Sequence, residues 1–79
     1  MTITILYFGM LAEITGQASE TWPVKEGLTV GDLKREIGEK YPLIREKKFK
    51  VAVNQQIGDD LMKVSVPSEV AFLPPFAGG

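Results

Sequence analysis

The sequence predicts an α+β fold, with a mixed β-sheet packed on one main helix. Three observations predict it. Four short stretches are rich in β-branched and aromatic residues or alternate apolar with polar, as strands do. One stretch alone carries a sustained apolar stripe at helical spacing. The 79 residues allow one domain at most, with no repeat, linker or low-complexity segment to divide it.

The elements follow in order. "TITILYF" (residues 2–8) reads as a strand, with Ile3, Ile5 and Tyr7 on one face and Thr4, Leu6 and Phe8 on the other. "GMLAEITG" lies between two glycines and predicts a short helix. "SETWPV" (19–24) reads as a second strand, placed at a sheet edge because Pro23 has no N–H for a ladder. "TVGDLKREIGEKYP" is the main helix. Thr29 caps it, and Asp32 stands three residues on, as in a capping box. Val30, Leu33, Ile37 and Tyr41 form its apolar stripe, and Pro42 stops it. Gly31 and Gly38 weaken it, by roughly 1 kcal/mol each relative to alanine. "FKVAV" (49–53) is a third strand. "NQQIGDD" supplies turn residues around a very short strand. Pro67 marks a turn before the last strand, "EVAFL" (69–73).

Alternation sorts the strand residues into two faces. Ile3, Ile5, Tyr7, Phe49, Val51, Val53, Val70 and Phe72 form the set that should meet the helix. The opposite face holds Thr2, Thr4 and Lys50 but also Leu6, Phe8, Ala52, Ala71 and Leu73. Two readings of that apolar group stand side by side. It is a partner surface, or loop residues such as Ile57 or Leu61 fold over it as a second small core.

Composition removes several function classes. A chain that is 44% hydrophobic, 24% charged and of net charge −1 is globular rather than disordered, and it lacks the basic surplus of a nucleic-acid binder. No apolar run reaches the length of a membrane span, and "MTITILYFG" has no signal-peptide character, so a cytoplasmic location is expected. With neither cysteine nor histidine, the chain offers no thiolate nucleophile, no imidazole and no Cys/His metal site. The acidic residues are scattered, and the adjacent Asp59 and Asp60 sit in a turn as solvated charges. "REKKFK" gathers Arg45, Lys47, Lys48 and Lys50 in what reads as a solvated loop, with a weak acid-binding patch as the minority reading. Trp22 beside Pro23 reads as half-buried packing. No glycine-rich run has phosphate-loop spacing.

What remains is the tail, "FLPPFAGG". Phe72 should anchor in the core, Leu73 to Phe76 should act as a docking rod, and Ala77 to Gly79 as a threaded tip. Prolines reduce the freedom lost on insertion, and glycines let the backbone pass a narrow channel. Residues 75–79 span at most about 17 Å when extended. The α-carboxylate of Gly79 is ionised at neutral pH and is able to attack the α-phosphate of ATP, becoming an acyl-adenylate open to a sulfur or nitrogen nucleophile. The alternative reading is a frayed end. The expected division is a folded domain over residues 1–74 and a flexible diglycine tail over 75–79.

"EVAFLPPFAGG", "AVNQ" (52–55) and the opening "ILYFGMLAEITG" together resemble the small, sulfur-carrier subunit of molybdopterin synthase. The resemblance spans essentially the whole chain, with the tail its most specific part. It implies a ubiquitin-like β-grasp fold. It also implies a role in molybdenum-cofactor biosynthesis as a non-catalytic subunit, not an enzyme on its own. The catalytic position would be Gly79, as glycyl adenylate and then 1-thioglycine, with Gly78, Ala77, Phe76, Pro75 and Pro74 threading into the large subunit. Phe8, Ile57 and Leu73 match the family's partner contacts. The implied partners are the large subunit, in a heterotetramer, and an adenylating and sulfurating enzyme resembling those of ubiquitin. No nucleic acid or membrane is among them. No cofactor or metal would be bound by this chain, ATP being consumed by the activating enzyme. The thiocarboxylate sulfur would go to cyclic pyranopterin monophosphate to build the dithiolene. Two departures stand out. Ala12 occupies a place where the family often has a basic residue, and Pro67-Ser68 replaces a Gly-Asp turn. A sulfur carrier for thiamine thiazole synthesis, a ubiquitin-like modifier of lysines and a plain interaction module are the alternatives.

Overall fold

The structure is a computed structural model and describes residues 1–75. In chain order the elements are β1 (Thr2–Tyr7), α1 (Met10–Thr15), β2 (Ser19–Pro23), α2 (Val30–Lys40), a 3₁₀ turn (Pro42–Glu46), β3 (Lys50–Val53), β4 (Gln56–Gly58) and β5 (Glu69–Leu73). The strands form one sheet in the order β2-β1-β5-β3-β4. β1 and β5 are parallel and every other neighbouring pair is antiparallel. The sheet is therefore mixed, as the sequence predicts, with β2 and its Pro23 at one edge.

Helix α2 starts where its cap dictates. The Asp32 amide donates to Thr29 Oγ1 and the Thr29 amide donates to Asp32 Oδ2, both at 3.1 Å. This reciprocal pair satisfies two amides that a helix N-terminus otherwise leaves free. Val30, Leu33 and Ile37 are buried against the sheet, while Tyr41 ends the helix half-buried before Pro42. The core partners are Ile3, Ile5, Tyr7, Val51, Val53, Val70 and Phe72, the face assigned by alternation, with Phe49 packed against them.

Two elements differ from the sequence reading. The chain does not become a loop after Pro42 but makes a 3₁₀ turn. Proline suits a first helical position, and Ile44 anchors the turn by burying all but 1% of its surface. Gly38 is more than a helix weakener. A Cβ there would stand 2.9 Å from Arg45 Nε, so its lack of a side chain lets Arg45 lie across α2.

The "AVNQ" motif also has a structural cause. Asn54 and Gln55 turn β3 into β4 with φ of 49° and 71°. Asn54 then ties this hairpin to the start of β5. Its amide donates to the Glu69 carbonyl at 2.8 Å, and its side-chain oxygen accepts from the Glu69 amide at 3.0 Å.

A polar cluster closes the other end of the core. The Tyr7 hydroxyl donates to Glu20 Oε2 at 2.6 Å and the Tyr41 hydroxyl to the same oxygen at 3.0 Å. Lys40 Nζ lies 3.1 Å from Glu20 Oε1. Burial alone would raise the Glu20 pKa. The hydrogen bonds from Tyr7, Lys40 and Tyr41 together with the Lys40 charge outweigh it and hold the carboxyl below its ordinary value.

Candidate functional site

Strand β5 lies at the centre of the sheet and leads into the tail. Its Phe72 is fully buried, edge-on to Tyr7 at 5.6 Å and stacked on Phe49 at 5.1 Å between centroids. Burying such a ring contributes about 1.5–3 kcal/mol, so the last strand is held firmly in the fold. This is the anchor expected of Phe72.

On the face away from α2, strand register aligns side chains into rows. Leu6 faces Ala71, Ala71 faces Ala52 and Ala52 faces Ile57, so one apolar row crosses four strands. The row before it is polar, with Thr4 opposite Glu69. The row after it holds Leu73 opposite Lys50, and Phe8, whose amide donates to the Phe72 carbonyl at 3.3 Å. Phe8 is 44% exposed and Ile57 56%, while Leu6, Ala71 and Leu73 are half-buried. Leu61 is 82% exposed. Ala52, at the middle of the row, is 4% exposed, but Ile57 and Leu61 stay exposed rather than closing a second core, so among the described residues Phe8, Leu6, Ala71, Leu73 and Ile57 leave a partly open apolar surface. Phe8, Ile57 and Leu73 share it.

The tail base adjoins this surface. Pro74 is half-buried and Pro75 exposed. Pro74 packs over Gly9, where a Cβ would stand 3.1 Å from its Cγ. Gly9 also has a φ of 56°, a conformation glycine adopts at little cost. The sequence reading took Gly9 only as the boundary of a short helix. Its role at the tail base is a tertiary contact with no sequence signal. The expectations for Phe76, Ala77, Gly78 and Gly79, and for a flexible tail, lie outside the described residues.

The other candidates resolve as structural. Asp59 accepts from the Leu61 amide at 2.9 Å within its turn, and Asp60 pairs with Lys34 at 3.0 Å. Trp22 is half-buried, with its indole N–H donating to Glu36 at 3.0 Å. Among the described residues no acidic cluster is suited to a metal ion, and no helix is long and apolar enough to cross a membrane.

Sheet order, the packing of α2 and the central last strand define a ubiquitin-like β-grasp domain. Residues 5–79 match the ThiS family, and the chain belongs to that family. It is 34% identical to the molybdopterin synthase sulfur carrier subunit of Homo sapiens, over 98% of this chain and 93% of that protein. It is 35% identical to the protein of the same name from Mycobacterium tuberculosis, over 98% and 96%. Among solved structures it resembles the putative molybdopterin converting factor subunit 1 of Pyrococcus furiosus, with a TM-score of 0.88 and 21% identity over 95% of this chain and 98% of the other. It also resembles SAMP1 of Haloferax volcanii, with a TM-score of 0.84 and 22% identity over the whole of both chains. A complex of subunits 1 and 2 of the molybdopterin-converting factor from Helicobacter pylori matches with a TM-score of 0.69 and 21% identity, again over both whole chains.

Proposed function

We propose that this chain is the sulfur carrier subunit of molybdopterin synthase and that its reactive group is the α-carboxyl of Gly79. The carboxylate oxygen attacks the α-phosphorus of ATP on an activating enzyme, expelling pyrophosphate and forming a glycyl adenylate. A sulfur nucleophile then displaces AMP and leaves a thiocarboxylate. The carrier docks on the large subunit, and the thiocarboxylate sulfur passes to cyclic pyranopterin monophosphate on the way to the dithiolene. Catalysis belongs to the partners, in keeping with a chain that has neither cysteine nor histidine.

One observation carries this reading. The tail leaves from a strand locked into the core by Phe72, directly beside an exposed apolar face that includes Phe8, Leu73 and Ile57. A rigid exit beside a docking face aims the tail at whatever the face binds, so less freedom is lost on insertion. Relatives at 34% and 35% identity that are named as this carrier support the specific assignment.

Incubation with an activating enzyme, ATP and a sulfur donor, followed by intact-mass measurement, tests it. Replacement of one terminal oxygen by sulfur is the expected result. Deletion of Gly79 should abolish sulfur transfer while the domain stays folded, and a deletion variant that still transfers sulfur overturns the mechanism. Attachment of the chain to lysines of other proteins would instead identify a modifier.

A further inference from the structure

We propose that the cleft between α2, the 3₁₀ turn and the segment before β3 binds a carboxylate-rich peptide segment of the protein that receives the tail. The cleft has a volume of about 420 Å³ and is lined by Lys34, Arg35, Arg45, Lys47, Lys48 and Phe49, with Ile44 beneath. Five of the chain's nine lysines and arginines therefore line one cleft, in a protein whose net charge is −1. That segregation makes a local positive field that the overall charge hides.

The cleft is built rather than incidental. Arg45 lies along α2 in the space that Gly38 leaves open. Phe49 forms an apolar wall stacked on the buried Phe72, and Lys34 Nζ stands 5.5 Å from the Phe49 ring centre. Lys34 pairs with Asp60 and Arg35 with Asp32, but Arg45, Lys47 and Lys48 have no ion pair among the described residues. Three charges are thus left to meet an external anion. They come from one segment, residues 45–48, and together with Lys34 and Arg35 on α2 they line the cleft from two elements, which matches an extended run of carboxylates. The aromatic wall adds apolar contact for the peptide's carbon atoms.

Position selects the partner. Lys50 lies opposite Leu73 in antiparallel register, so the segment leading into β3 runs beside the end from which the tail departs. The cleft is on the α2 side and the apolar rows are on the other, with the tail base between them. A protein that swallows the tail must surround this end and present something to each side, apolar to one and acidic to the other. The partner named here rests on the proposed function, but the cleft's preference for carboxylates is testable without it.

The test is an NMR titration of the ¹⁵N-labelled chain at low salt with a hexaglutamate peptide, and in parallel with inorganic pyrophosphate. Shifts should cluster at Lys34, Arg35, Arg45, Lys47, Lys48 and Phe49 and fade as salt is added. The K47E/K48E variant, which leaves the Arg45 packing intact, should weaken peptide binding about tenfold. It should also slow association with the large subunit about tenfold at low salt while leaving sulfur loading of the tail unchanged. Shifts spread equally over Lys25, Lys40 and Lys63 overturn the site. Tighter binding of pyrophosphate than of the peptide overturns the carboxylate assignment in favour of a phosphate ligand. An association rate equal to wild type overturns the partner. Should the wild-type chain fail to take up sulfur yet bind the peptide at this cleft, the functional reading falls and the carboxylate site stands.

Discussion

Pro74 rests on Gly9 so closely that a Cβ on the glycine would come within 3.1 Å of the proline Cγ. This contact joins the turn after the first strand to the base of the tail. It sets where the tail leaves the domain. Substitution Gly9→Val meets both obstacles at once, a φ of 56° and the proline ring. A loss of about 1–2 kcal/mol is expected from the backbone alone, measured by urea unfolding. The chemical shifts of Pro74 and Pro75 should move with it, whereas those of the Asn54 turn should stay in place.

The open apolar rows should matter for association and little for folding. Ile57 is 56% exposed, so Ile57→Asp is expected to change stability by no more than about 0.5 kcal/mol. Binding to the large subunit should weaken at least tenfold, roughly 1.4 kcal/mol or more. Calorimetric titration beside a thermal melt separates the two effects. Equal binding by the variant would show that the partner seats elsewhere.

Glu20 should make stability fall in acid. Its side chain is only 9% exposed, and its folded-state pKa is held below the ordinary 4.5. A depressed carboxyl contributes stability that is fully present above the unfolded value and is lost as pH falls through the folded one. Glu20→Gln should therefore lower stability by about 1–2 kcal/mol at neutral pH. The gap to wild type should close as pH drops below 4.5. Unfolding curves at pH 7 and pH 3 check the sign.

Tyr7 predicts the alkaline limb. Burial first, and then the Glu20 hydrogen bond and charge, push its hydroxyl well above the ordinary 10.0. A raised phenol contributes stability that is present below pH 10 and is lost as pH rises beyond it, because the unfolded chain ionises first. In Tyr7→Phe this contribution to the alkaline decline should vanish, while stability at neutral pH drops by about 0.5–1.5 kcal/mol from the lost hydrogen bond.

The hairpin after β3 contains a residue under strain. Gln55 has a φ of 71°, which asparagine tolerates better and glycine adopts freely. Gln55→Gly should raise stability by about 0.5–1 kcal/mol, read as a higher melting temperature. Asn54→Gly should not, because it also removes the oxygen that accepts the Glu69 amide.

Much of this molecule is written in local patterns. The alternation of residues 2–8 and 69–73, the Thr29 and Asp32 cap, the stripe of Val30, Leu33 and Ile37 and the stop at Pro42 each depend on neighbours within a few residues. They accordingly reappear in the structure with shifts of one or two positions. The proposal for the tail starts from an equally local pattern, the prolines and paired glycines of the last residues. What lay outside the sequence's reach depends on residues far apart in the chain. Whether Leu6, Ala71, Ala52 and Ile57 share one surface is set by the register of four strands, and whether that surface stays open is set by where Ile57 and Leu61 come to rest. Gly9 meets Pro74 across 65 positions, and Glu20 of β2 gathers Tyr7 from β1 and Lys40 and Tyr41 from the end of α2. The sequence determined which segments become strands and helix, and it singled out the end on which the proposed chemistry rests. Only the tertiary structure decided what stands beside that end, because contacts between distant residues follow from how the elements pack and not from the residues next to them in the chain.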